Sequence, residues 1–133
     1  MTANFNVIIK DPCSTAVFET TPAGLVNMTI NAPSVVTSTQ TVVIKTDVEI
    51  ANSAIVCPFT ITTMTPSAVF MSLSANTISV NTALISLPGD LGTHAFTITV
   101  VSANFPGTVA SKTYTFNVVV TCAVTSLLIT SQA

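Results

Sequence analysis

The sequence predicts an all-β sandwich, and three observations carry that expectation. Apolar residues alternate with Thr, Ser and Asn at a period of two through most of the chain, which in an extended backbone places them on one face. Nowhere does an apolar period of 3.6 persist over the roughly ten residues that a helix needs. Turn signals built from Pro, Gly, Asn and Asp recur at the spacing of a two-sheet fold, giving roughly seven to nine short strands. With 133 residues the chain can bury one core of its own and is too short for two domains of ordinary size.

Each element follows from the same alternation. Phe5-Asn6-Val7-Ile8-Ile9 puts Phe5, Val7 and Ile9 on one face and reads as a strand. Asp11-Pro12 makes a turn, and Cys13 opens a second extended run through Phe18. From Leu25 to Ile30 the apolar face is Val26, Met28 and Ile30, with Asn27 and Thr29 outward, and Pro33 breaks the run. Asn27-Met28-Thr29 is an N-glycosylation sequon, so Asn27 is a candidate glycan site on the polar side. Thr41 to Ile50 reads as a half-buried strand with Val42, Ile44, Val48 and Ile50 inward and Lys45, Asp47 and Glu49 in water. After a loop at Ala51-Asn52-Ser53, residues Ile55, Cys57, Phe59 and Ile61 share an inward face, and Pro58 on the opposite parity predicts an edge position or a bulge. Short strands follow near Val69 to Leu73 and Ile78 to Val80. Pro88-Gly89-Asp90-Leu91-Gly92 is a turn cluster from which His94, Phe96, Ile98 and Val100 run along one face. A hairpin loop at Asn104-Phe105-Pro106-Gly107 returns the chain into a long last strand, Ser111 to Cys122.

Composition narrows the function. Hydrophobic residues are 49% and charged residues 6%, with a mean hydropathy of +0.75, whereas a free soluble domain carries about 25% charge. Such a surface is expected to be covered by partners or by glycans. Residues 113 to 130 carry no charge, but Thr, Asn and Ser interrupt them at almost every second place, so no membrane span is expected. Met1 to Asp11 shows no basic region followed by an apolar block, so no secretion signal is expected in that stretch. Three Lys, no Arg and a net charge of −2 leave no basic patch for nucleic acid. His94 is the single histidine and no Gly-x-Ser-x-Gly elbow is present, so no catalytic residue is assigned. Four glycines, none opening a helix, offer no phosphate cradle, and no cofactor is expected.

Asp90-x-Gly92-x-His94 at the head of a strand, then Phe-x-Ile-x-Val, a hairpin and Tyr114-x-Phe116-x-Val118-x-Val120, resembles the last third of immunoglobulin-like and cadherin-like repeats, in particular the dystroglycan-type modules. The Asp11-Pro12-Cys13 run, with a second Cys in mid-repeat, is similar to tandem repeats of large Cys- and Thr-rich surface proteins of unicellular eukaryotes. The resemblance covers most of the chain and implies an immunoglobulin-like or cadherin-like antiparallel β-sandwich in an extracellular setting. It makes Asp90, Gly92 and His94 a fold corner, with His94 where the family carries Tyr. It also implies a Cys13 to Cys57 disulfide. All three cysteines lie on core-facing parity, so Cys122 is left free, or paired between subunits, or bridged to Cys57 instead. Cadherin-like modules would imply calcium, but Asp11, Glu19, Asp47, Glu49 and Asp90 form no carboxylate cluster and no metal site is expected.

Within that resemblance, residues 13–122 make a complete sandwich and the chain overhangs it at both ends. Residues 1–12 hold a strand, Phe5 to Ile9, spelled almost like Phe116 to Val120, and residues 123–133 hold Val124, Leu127, Leu128 and Ile129 in what looks like an opening strand. Each overhang is a candidate donor strand or a part of a neighbouring repeat. The expected function is that of a non-enzymatic structural subunit of an extracellular filament, at a cell surface or secreted, whose partners are copies of itself or adjacent repeats. The alternative is an adhesive or carbohydrate-binding module within a tandem-repeat surface protein. One Tyr, no Trp and seven Phe mostly on core parity give that alternative little aromatic surface to work with.

Overall fold

A computed structural model describes residues 2–32 and 37–122. These form seven strands, β1 (Met28–Ala32), β2 (Thr37–Thr41), β3 (Phe59–Thr65), β4 (Met71–Ser74), β5 (Thr77–Asn81), β6 (Gly92–Ser102) and β7 (Lys112–Cys122). The other regular elements are a short helix, α1 (Asp47–Ala51), and 3₁₀ turns at Pro12–Thr15 and Thr82–Leu84. One sheet has the order β1-β7-β6-β3 and the other β2-β5-β4.

Alternation places the core between the two sheets. Phe96, Ile98 and Val100 of β6, Tyr114, Phe116, Val118 and Val120 of β7, and Ile78 and Val80 of β5 are buried, while Thr113 and Thr115 face out. They join Met28, Ile30, Val42, Ile44 and Phe70 in one cluster. Phe96 stacks on Phe116 with centroids 5.8 Å apart and meets Phe70 edge-on at 6.4 Å. Each such side chain contributes about 1.5–3 kcal/mol when fully buried, so this cluster is the main source of stability.

β6 and β7 are an antiparallel hairpin, paired from Gly92↔Val120 to Val100↔Lys112, and the loop between them holds Asn104 to Gly107 as the turn residues predict. On its other side β7 pairs parallel with β1, but only from Met28↔Val118 to Ala32↔Cys122. The chain before β1 belongs elsewhere. Asp47 N–H donates to Val17 O, Glu19 N–H to Lys45 O and Val43 N–H to Gly24 O, so residues 17–24 run antiparallel beside residues 43–47. The chain then passes from that side to the larger sheet at Asn27. Gly24 permits the close approach, since a Cβ there would lie 2.4 Å from Val43 O.

Several elements differ from the sequence expectation. Thr41 to Ile50 is not one strand: the extended part ends at Thr46, and α1 follows. Thr46 Oγ1 accepts from Glu49 N–H while Glu49 Oε2 accepts from Thr46 N–H, a capping box that turns the chain helical despite its alternating pattern. Val42 and Ile44 are inward as expected, but Ile50 is 61% exposed. Cys13 lies in a 3₁₀ turn capped by Asp11 Oδ1, which accepts from Cys13 N–H, and not in an extended run. Val26 precedes β1 and is exposed, because Gln40 holds its backbone N–H and C=O on the side of β2. Pro58 precedes β3, which is both an edge strand and bulged between Ile61 and Thr63, so that Met64 and not Thr63 packs on the core.

Candidate assembly surface

The N-terminal stretch Phe5 to Ile9 is not a strand of this fold. Residues 2–10 adopt no regular structure, and Phe5, Val7 and Ile9 are 84%, 70% and 91% exposed. Among the described residues it has no ladder partner, and an extended backbone becomes a strand only when a neighbour takes its N–H and C=O groups. The other group of predicted assembly residues, Val124, Leu127, Leu128 and Ile129, lies outside the described residues.

Sheet edges are where such a segment could pair, and most are guarded. β3 carries a bulge and is flanked by Pro58 and Pro66; β4 is four residues long; the side chain of Gln40 caps the edge of β2. The edge of β7 is different, because β1 covers only its second half. Asn117 N–H donates to Asn27 Oδ1 at 2.8 Å, which shows that odd-numbered residues of β7 aim their backbone groups toward the β1 side. Thr113 and Thr115 therefore present N–H and C=O to that side, where no described strand pairs with them.

Beside these groups lies a cleft of about 330 Å³ lined by Thr20, Thr21, Pro22, Leu25, Thr113, Tyr114 and Thr115. Tyr114 reaches across it, its OH donating to Glu19 O at 2.6 Å, and farther along β7 Lys112 Nζ donates to Phe18 O at 3.1 Å. Burial, and secondarily the nearby Glu19 carboxylate, pushes the Tyr114 phenol up to about 12. Sequence reasoning used Tyr114 only as a repeat signature and did not find this notch. The available signal was that Tyr114 and Lys112 are the one tyrosine and the one charged residue of the last strand.

At Asp90, Gly92 and His94 the chain makes a turn that an imidazole closes. His94 Nε2 is 2.8 Å from Asp90 O, Asp90 Oδ2 accepts from Ser86 N–H, and Gly92 takes φ +110°, a conformation other residues rarely adopt. An open cleft of about 490 Å³ adjoins His94 and Phe70, whose rings meet edge-on. Asp90 and His94 are thus occupied in shaping a turn.

Cys13 and Cys57 form a disulfide that anchors a second small cluster with Ala16. Cys122 is free and exposed, contrary to its core-facing parity, because it ends β7 beyond the last buried residue, Val120. Asn27 is exposed just ahead of β1. Among the described residues no group of three His, Cys, Asp or Glu could hold a metal ion, and no helix is long and apolar enough to cross a membrane. No family model, curated protein or solved structure matches this chain.

Proposed function

We propose that this chain is an extracellular, non-enzymatic structural module of the immunoglobulin-like or cadherin-like kind, joined to the next copy of itself by strand addition into a filament. One observation carries the reading: Phe5, Val7 and Ile9 form an alternating apolar strip that is 84%, 70% and 91% exposed and has no ladder partner among the described residues. A strip of that kind is stable against a sheet edge and not in water. The Cys13–Cys57 disulfide is in keeping with an oxidising compartment. An exposed Asn27 within a sequon and a surface rich in Ser and Thr would carry the glycans that such low charge calls for.

Energetics favour repetition over isolated pairs. Burying the apolar side chains of Phe5, Val7 and Ile9 yields roughly 5–9 kcal/mol gross, against an association cost of about 4–15 kcal/mol. The backbone hydrogen bonds of the added strand supply the balance. A strand at one place on the molecule and an edge at another make a head-to-tail contact, which propagates and does not close.

Negative-stain imaging of the purified chain, with and without residues 1–11 or 123–133, tests this. Filaments that disappear on removal of residues 1–11 are the expected result. An intact chain that stays monomeric at high concentration would refute it.

A further inference from the structure

We infer that the acceptor for Phe5 to Ile9 is the open half-edge of β7, Lys112 to Phe116, on a second copy of the chain. The assignment rests on the strand-addition function proposed above and gives it an address.

Two features of the notch fit that occupant. The first is length: no described strand pairs with β7 on this side from Lys112 to Phe116, five residues before the Asn117–Asn27 hydrogen bond closes the notch, and Phe5 to Ile9 is five residues. The second is parity. Neighbouring strands keep their side chains in common rows, so placing Phe5, Val7 and Ile9 beside the inward Tyr114 and Phe116 turns them into the cleft with Leu25 and Pro22.

Size agrees with the expected behaviour. Removing three or four apolar side chains and the matching cleft from water covers on the order of 1,000 Å² in total, the lower bound for a specific interface. A single contact is therefore weak, and a chain of them forms only at high concentration. Thr113 and Thr115 need no rearrangement to accept the strand, because their backbone groups already face the notch.

Amide hydrogen exchange on the full-length chain, measured below and above the assembly concentration, tests the address. Thr113 and Thr115 amides are expected to slow about tenfold or more on assembly, with the outer-edge amides of β3 unchanged. Val7→Lys should abolish both assembly and that protection. Thr115→Pro removes an amide that faces the notch and not β6, and should prevent assembly; if it fails to fold, the exchange measurement on the unaltered chain still decides. Assembly that is lost in Val7→Lys but leaves Thr113 and Thr115 unprotected overturns the address while the strand-addition function stands. A chain that is monomeric at every concentration overturns both. Protection already complete in the dilute monomer means that residues 5–9 fold onto their own edge, which overturns the second copy as occupant.

Discussion

Tyr114 combines three jobs in one side chain: its ring is buried in the core, its hydroxyl holds Glu19 O across the cleft, and its edge lines the notch. Its phenol is pushed up to about 12 from 10.0, chiefly by burial. The folded state therefore holds the proton more tightly than the unfolded chain does. Stability is unaffected below about pH 10 and falls as pH rises from there toward about 12. Tyr114→Phe is expected to cost about 1 kcal/mol at neutral pH and to remove that alkaline decline, as urea titrations across pH would read. Thr46 is a second residue whose role is local and chemical. Thr46→Ala removes the capping box and should destabilise by about 1–2 kcal/mol, with an accompanying loss of the few helical residues.

Strand direction and side-chain facing in β5, β6 and β7 could be read from the sequence, because alternation in a backbone of period two leaves one choice of inner face. Alternation failed at Thr46 and at Val26, and in both places a side chain satisfies backbone groups locally. The T-x-x-E pattern at Thr46 to Glu49 was there to be read; the hold of Gln40 on Val26, across fourteen positions, was not. Residues 17–24, which no pattern marked as paired, depend on Gly24. Gly24→Ala would put a Cβ 2.4 Å from Val43 O and 2.6 Å from Val43 Cβ, and should destabilise by about 1–3 kcal/mol by forcing residues 17–24 from residues 43–47. Faster amide exchange at Glu19 and Val43, whose N–H groups bond across that gap, would register it.

The molecule as a whole is held by one core between two sheets and by a disulfide that ties residues 44 positions apart. Replacing Cys13 and Cys57 together by Ser should cost about 3–4 kcal/mol through the larger freedom of the unfolded chain, seen as a lower midpoint in thermal unfolding. Reducing agent should have the same effect on the unaltered protein and none on the double variant. The 3₁₀ turn that holds Cys13 directly follows the apolar strip, so reduction should loosen the base of the strip as well as the core.

Sequence by itself determined that this protein is all-β, which face of each long strand is buried, and that Phe5 to Ile9 is apolar on alternate residues, since these are properties of a single extended backbone. Which strands pair was decided only in three dimensions. The parallel docking of β1 against β7 stops at Met28 because Gly24 and Gln40 hold the preceding chain on the other side. Among the described residues, that stop leaves half of the edge of β7 without a partner strand. An open edge is the difference between where two distant segments do and do not meet, so alternation within either segment carries no record of it.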